Sequence, residues 1–321
     1  MYNIVDNSRQ KIFDEYTGLS LTGNGGTELL YRKLKEKLDP ELFDKFQIIC
    51  SRVNKFNGKP AIFYLHDCWD DPEAQRLSNP EFRKQFKKLV FVSDWQFQTY
   101  NQGLGVPYSE SIILKNAIDP IDVKDDDKPK DRINLIYTST PNRGLELLIP
   151  TFIHLSNMFD NIYLDVFSSF DIYGWPQRNV PYQHLFETCK NHPKITYHGF
   201  QPNDVVREAL KKSHIFAYPC IHKETSCLAA IEAMSAKNVI VCPNYGALTE
   251  TVNNIGYVYH WDESPNVHVN RFAEVLIMAI KNIENSTNMV NTAKHRVDQL
   301  YNWQYRIKEW ELLLSNLIDK N

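Results

Sequence analysis

The sequence predicts an α/β protein built on two doubly wound parallel sheets, one in each half of the chain. Two observations carry this expectation. Short apolar runs alternate with helical patterns throughout, and a charged stretch from Asp122 to Asp131 interrupts the alternation. Strands that alternate with helices lie parallel, with the helices as crossovers on the faces of the sheet. At 321 residues the chain also exceeds the usual single-domain size, so two domains are expected.

In the first half, candidate strands are Phe46 to Cys50, Ala61 to Leu65 and Leu89 to Ser93, with helical patterns at Thr27 to Leu38 and Trp95 to Gln102. The charged run that follows holds nothing suited to a core and reads as an interdomain linker. The second half restarts with a strand at Ile133 to Tyr137 and a helix from Gly144 toward Phe159, which Pro150 should kink. Further strands follow at Ile162 to Phe167, Ile195 to His198, Ile215 to Tyr218 and Asn238 to Pro243. Near the C-terminus Trp303, Ile307, Trp310, Leu314 and Leu317 repeat every three or four residues, giving a helix with one apolar face. Too few basic residues oppose that stripe for a membrane-surface helix, so it should pack into a core.

Composition narrows the function classes. Apolar residues make up 43% and charged residues 23%, an ordinary globular balance. A formal net charge of -3 argues against nonspecific nucleic-acid binding. No run approaches the roughly 18 apolar residues of a membrane span, and the polar start Met1-Tyr2-Asn3-Ile4-Val5-Asp6 does not read as a signal peptide. The six cysteines (Cys50, Cys68, Cys189, Cys220, Cys227 and Cys242) form no C-x-x-C pair and mostly fall in or beside apolar runs. They read as buried thiols in a reducing, cytoplasmic compartment rather than as a zinc site.

The most informative segment is Glu224-Thr225-Ser226-Cys227-Leu228-Ala229-Ala230-Ile231-Glu232, set between two apolar strands. The pattern strand, loop, helix, strand places this loop and helix start at the carboxyl edge of a parallel sheet, where such sheets bind ligands. With residues 226–236 helical, Glu232 stands about 12 Å along the axis from a helical extrapolation of Glu224, turned by roughly 80°. That separation is too long to share a proton, and longer than the roughly 5–9.5 Å used to hydrolyse a glycoside. It suits gripping the two ends of an extended ligand, with an anion at the helix N-terminus between them. A nucleotide-diphospho-sugar has that layout.

The stretch Lys223 to Glu250, with its E-x7-E spacing and trailing Gly246-Ala247-Leu248-Thr249-Glu250, resembles the donor-binding segment of family 4 glycosyltransferases. The resemblance implies the GT-B fold, two Rossmann-like domains facing a cleft. Residues 1–128 would form the acceptor-side domain and 129–300 the nucleotide-sugar donor domain, with the helix at 301–321 crossing back onto the first. It also implies a retaining transferase that needs no metal or other cofactor. Such an enzyme moves a hexose-type sugar from a GDP- or UDP-linked donor, GDP-mannose among them, to a glycan, lipid or protein-linked acceptor.

Arg143, in Tyr137-Thr138-Ser139-Thr140-Pro141-Asn142-Arg143-Gly144, follows a strand and opens a helix, and a guanidinium there can bridge phosphate oxygens in a fork. The segment resembles the family's basic motif, with Arg143 at its lysine position. Thr138 stands where the family has a second basic residue, so Ser139, Thr140 or backbone N–H groups would have to compensate. An exposed arginine in a helix-capping loop is the plainer alternative. Gly25 and Gly26 precede a helix and resemble the family's Gly-Gly loop, although a turn plus helix cap explains them equally well. His66 ends a strand, and the resemblance sets it beside the donor sugar, against a purely structural role. His198-Gly199-Phe200 resembles the strand-end glycine motif near the nucleobase.

By the same resemblance Arg143 and the helix start at Thr225, Ser226, Cys227 and Leu228 would stabilise the departing diphosphate. Glu224 and His66 would hold the sugar, and Glu232 the ribose. Two rival readings stay open: a sugar-nucleotide 2-epimerase on the same fold, and a non-catalytic sugar-nucleotide or glycan-binding protein. Asp125-Asp126-Asp127 contains a formal D-x-D but lies in the charged run, so it reads as solvated. The four cations of Phe82-Arg83-Lys84-Gln85-Phe86-Lys87-Lys88 read as a solvated helix face, with weak contact to an anionic membrane as the alternative.

Overall fold

The computed structural model describes residues 13–124 and 126–318. The polar start Met1 to Asp6 lies outside these residues. The chain divides into two compact units, Met1–Asn116 with Gln304–Asn321, and Ala117–Trp303.

The first unit is built on β1 (Gln47–Ile49), β2 (Ala61–Tyr64), β3 (Phe86–Phe91) and β4 (Ser111–Ile113), all parallel and side by side in chain order. All four residues of β2 are buried, as a parallel sheet covered on both faces requires. Around it lie α1 (Gly26–Lys37), α2 (Pro40–Phe43), α3 (Pro80–Arg83) and α4 (Asp94–Leu104). The Ser93 hydroxyl accepts from the Gln96 N–H to open α4, and Gly105 at φ 66° closes it.

The basic stretch 82–88 is not one helix face. It contains the end of α3 and the start of β3. Phe82 and Phe86, four apart, mimic a helical stripe, but they enter the core from different elements with ring centroids 5.5 Å apart. Arg83 is buried, donating to Glu110 at 2.6 Å and to the Leu77 carbonyl at 2.7 Å. Lys84 pairs with Glu81 at 2.6 Å, and Lys88 donates to the Ser109 carbonyl at 2.7 Å.

The second unit holds β5 (Ile133–Thr138), β6 (Ile162–Phe167), β7 (Ile195–Tyr197), β8 (Ile215–Ala217), β9 (Val239–Pro243) and β10 (Tyr257–Tyr259). They pair in the order β10-β9-β8-β5-β6-β7, every pair parallel. Its helices are α5 (Leu145–Ser156), α6 (Gln183–Asn191), α7 (Asn203–Lys212), α8 (Leu228–Ser235), α9 (Leu248–Val252), α10 (Pro265–Lys281) and α11 (Thr287–Leu300). Pro150 lies inside α5. The core runs from Leu135, Ile136 and Tyr137 through Phe216, Ile231 and Ile240 to Phe272 and Leu276, all fully buried.

The last helix, α12 (Trp303–Ile318), belongs from Gln304 onward to the first unit, where Trp310 is fully buried with its ring 5.0 Å from Tyr64. The division between units falls before the charged run. Ile118 exchanges backbone bonds with Tyr301 and Trp303, and the Ile121 N–H donates to Ser235 Oγ at 2.9 Å. Val123 packs against the second core, and Lys128 donates to the Ser213 carbonyl. The run is therefore not wholly solvated, because Val123 and the Lys128 stem supply apolar surface that the core can cover, next to the buried Ile121 that precedes the run.

Candidate functional site

In the six-stranded sheet the strand order reverses at β5. The chain moves out through β6 and β7, then returns to the other side of β5 with β8. The loops leaving β5 and β8 therefore diverge at the carboxyl edge, and such a reversal opens the crevice where sheets of this kind bind ligands. The loop after β5 carries Arg143, and the loop after β8 carries Tyr218, Cys220 and Glu224.

Thr138 is the last residue of β5. Ser139 and Thr140 follow, the Tyr137 hydroxyl donating to the Thr140 carbonyl at 2.8 Å, and Pro141–Arg143 make one turn of 3₁₀ helix. Gly144 comes next at φ 113°, and a Cβ there would stand 2.1 Å from the Pro219 carbonyl oxygen. Only glycine lets the two loops lie this close.

Arg143 Nη1 donates to Glu224 Oε1. The same oxygen accepts from the Tyr218 hydroxyl at 2.5 Å, and Cys220 Sγ lies 3.9 Å away. Burial alone would raise the Glu224 carboxyl, but Arg143, His222 and Tyr218 outweigh it and hold it below its ordinary value. Burial also opposes the charge on Arg143, and Glu224 reverses that effect. The Glu224 backbone is held as tightly: its carbonyl accepts from the Ala247 N–H at 2.7 Å, and a Cβ on Gly246, at φ 60°, would come within 2.6 Å of that oxygen.

Helix α8 starts at Leu228, two residues later than the sequence pattern predicts, because Cys227 is still extended with φ -85° and ψ 95°. Its N-terminus has no side-chain cap, and the Ser226 hydroxyl oxygen is buried without a hydrogen-bond partner. An orphaned hydroxyl beside an uncapped helix start fits a ligand that accepts hydrogen bonds, such as a phosphate. One turn further on, Glu232 accepts from Asn203 on both oxygens, at 3.2 and 3.1 Å, and from Arg207 Nη1 at 2.9 Å. Arg207 also donates to the Asp119 carbonyl at 2.7 Å. Burial outweighs these partners and raises the Glu232 carboxyl.

At the end of β7, His198 stacks on Phe167 with centroids 4.1 Å apart and rings 5° from parallel, and its Nε2 lies 2.7 Å from Asp165 Oδ1. Gly199 turns the chain at φ 65°, and Phe200 follows, half-buried. These residues occupy the carboxyl side of the same sheet, two strands from β5.

The remaining sequence-predicted residues belong to the first unit. Gly25 caps α1 and Gly26 is its first residue, while Arg32 donates to the Gly23 carbonyl at 3.2 Å and to Asn24 at 3.0 Å, fixing the loop. His66 follows β2 and meets the Tyr64 ring edge-on at 4.2 Å, and burial pushes its imidazole down to about 3, so it is neutral. Beside it burial, then Asp71, pushes Asp67 up to about 6. Four residues escaped sequence reasoning: Tyr218, Asn203, Arg207 and Tyr173, the last of which acts electrostatically on Arg143. Only Tyr218, at the end of an apolar run, left a signal.

Among the described residues no group of three or more His, Cys, Asp or Glu is placed to hold a metal. Asp126 is exposed and Asp127 accepts from the Lys124 N–H at 2.8 Å, whereas Asp125 lies outside the described residues. No described helix is long and apolar enough to cross a membrane.

The two parallel-sheet units match solved GT-B glycosyltransferases. Sucrose-phosphate synthase from Thermosynechococcus elongatus superposes with TM-score 0.68 at 13% identity, covering 92% of this chain and 79% of that one. Anabaena HepE in complex with UDP and glucose gives 0.68 at 14% identity, with 91% and 83% covered. A glycosyltransferase from Rickettsia africae gives 0.65 at 14%, with 92% and 81% covered. No curated protein matches the sequence. The family described as glycosyl transferases group 1 matches residues 122–296, more than half of the chain, and the chain belongs to that family. It is a glycosyltransferase.

Proposed function

We propose that the protein transfers a hexose-type sugar, with retention of anomeric configuration and without a metal, from a UDP- or GDP-linked donor to a glycan, lipid or protein-linked acceptor. The observation that carries this reading is the Arg143–Glu224–Tyr218 cluster at the strand-order reversal, beside the uncapped start of α8. A guanidinium has five N–H donors. One is used on Glu224, and the rest of the fork is suited to the leaving diphosphate. The first-turn N–H groups of α8 and the Ser226 hydroxyl add neutral donors to the same anion. They offset the threonine at position 138, where a second cation would otherwise stand.

Glu224 Oε1 is engaged by Arg143 and Tyr218, which leaves Oε2 to accept from the sugar hydroxyls. Glu232, anchored by Asn203 and Arg207, keeps capacity for a ribose hydroxyl. Catalysis on this reading is charge stabilisation and positioning of the departing diphosphate. The roles of His198, Gly199 and Phe200 near the base, and of His66, Gly25 and Gly26, rest on the family resemblance, whereas a cytoplasmic location rests on the cysteine pattern.

The test is a thermal-shift and turnover screen with UDP, GDP, ADP and their sugars, with magnesium or with EDTA. One nucleoside diphosphate should raise the melting temperature saturably. Its sugar should be turned over equally in both buffers, with the product anomer matching the donor. Chelation that abolishes transfer, or an inverted product, would defeat the mechanism. In that screen Glu224→Ala should bind the bare nucleoside diphosphate almost normally while turnover collapses.

A further inference from the structure

On the amino side of the six-stranded sheet, opposite the donor residues, lies a cleft of about 330 Å³. Lys124 and Lys128 reach it from the segment before β5, His214 from the residue before β8, and Lys237 from the turn between α8 and β9. The fourth wall is the start of α11, where Ser286, Thr287 and Asn291 line it. No side chain caps α11, so the positive end of its dipole faces the space. Among the described residues Glu284 is the one acid in the lining, and none of the three lysines forms an ion pair.

Two features show that the cations are held there against local preference. Lys237 has φ 55°, a left-handed conformation. It sits just past the end of α8, its N–H bonded to the Met234 carbonyl and the next N–H, of Asn238, to the Ala233 carbonyl. That is the helix-ending turn in which glycine is the usual residue at this position. A lysine there is strained, and strain of this kind gathers at ligand sites. Lys128 is half-buried with its ammonium on the Ser213 carbonyl, and burial, reinforced by Lys237 against Asp127, pushes it down to about 7. His214 accepts from the Asn134 N–H on Nδ1 and bonds the Pro129 backbone, and burial, then Lys128, pushes it down to about 4, so it lines the cleft as a neutral ring.

We propose that this cleft binds a phosphate ester of a small organic molecule, at a site separate from Arg143 and Glu224. The lysines, the α11 N-terminus and the Thr287 hydroxyl supply donors suited to a dianion. The volume lies at the lower end of the roughly 300–1,000 Å³ typical of ligand pockets, and one water takes roughly 30 Å³, so there is room beyond a bare phosphate. Val123, Ile283 and Val290 give the organic part an apolar wall.

The test is calorimetric titration of the whole protein with glycerol phosphate, inorganic phosphate and glycerol at matched ionic strength. Glycerol phosphate should bind saturably, inorganic phosphate more weakly, and glycerol not at all. Lys128→Gln and Lys237→Gln should each weaken glycerol phosphate about tenfold, the worth of one charge-assisted contact. Arg143→Ala should leave it unchanged. Lys237→Gly should also lose binding but melt at or above the native temperature, because glycine suits the left-handed turn. The proposal is overturned if no phosphate probe binds at millimolar concentration, if binding survives both lysine changes, or if Arg143→Ala abolishes it. It is equally overturned if Lys237→Gly melts well below the native protein, since the lysine would then be structural.

Discussion

On the carboxyl side of the six-stranded sheet each buried acid has a guanidinium beside it, Glu224 facing Arg143 and Glu232 facing Arg207. On the amino side Lys124, Lys128 and Lys237 converge on one cleft in whose lining, among the described residues, Glu284 is the single acid. Opposite charges settled in pairs hold a fixed loop geometry by themselves, and a ligand adds to contacts already made. Like charges gathered without ion pairing among the described residues repel one another, and a bound anion would relieve that repulsion. The same sheet thus carries one region organised before its ligand arrives and one that is completed by it.

The largest effect should come from breaking the first region at Arg143. Arg143→Ala leaves a buried carboxylate with His222 and Tyr218 as its remaining partners. Removing one member of a buried pair commonly costs about 3–5 kcal/mol. Urea unfolding should show a loss of that order, and turnover should fall with it. Arg143→Lys keeps the charge without the fork and should recover part of both. A loss below about 1 kcal/mol would mean that solvent already screens the pair, as at an exposed salt bridge.

A smaller effect is expected from Gly246→Ala. The added methyl would meet the Glu224 carbonyl oxygen at 2.6 Å and its nitrogen at 2.7 Å, both backbone atoms, at a φ of 60° that alanine disfavours. Strain of this kind costs about 1–3 kcal/mol. If the loop geometry matters more than the charge, donor-sugar turnover should drop further than stability does. Unchanged turnover would show that the loop has slack.

The smallest effect, and the sharpest comparison within one edge, is the pH dependence of the two glutamates. Glu224 lies below its ordinary value of 4.5, so its stabilisation is present above that value and lost as pH falls through the folded value. Glu232 lies above 4.5, so its buried charge is unfavourable at neutral pH and the native state gains as pH falls through the raised value. Denaturant unfolding from pH 3 to 8 should therefore respond in opposite senses. Glu224→Gln should flatten the acid limb, and Glu232→Gln should flatten the decline above 4.5. Identical profiles for the two variants would refute the assignment.

Much of the second unit was legible because its strands are continuous apolar runs: β5, β6, β8 and β9 fall within a residue or two of where the sequence puts them. Strands β4 and β10 gave no such signal, being three residues long and only partly buried. The position of Arg143 and Glu224 at the carboxyl edge was legible from strand-loop-helix order. Their pairing was not, because the residues are 81 apart in sequence and meet only through the reversal of strand order. The partners of Glu232 were hidden for the same reason, since Asn203 and Arg207 arrive on α7, a different helix. The charged run from Asp122 to Asp131 looked solvated because a linear reading weighs charge count, whereas Val123 and the Lys128 stem follow the packing of their apolar atoms.

The burial of Trp310 against Tyr64 has a consequence for how the chain is made. A ribosome delivers β1 to β4 first, but the helix that fills their core emerges only after the whole second unit has been synthesised. The second unit is continuous in sequence and is free to fold while its predecessor waits, reversing the usual order in which the earlier domain matures first. During that interval the exposed aromatic surface around Tyr64 is a target for chaperones. A released chain truncated after Trp303 should show a protease-resistant C-terminal fragment and a sensitive N-terminal one.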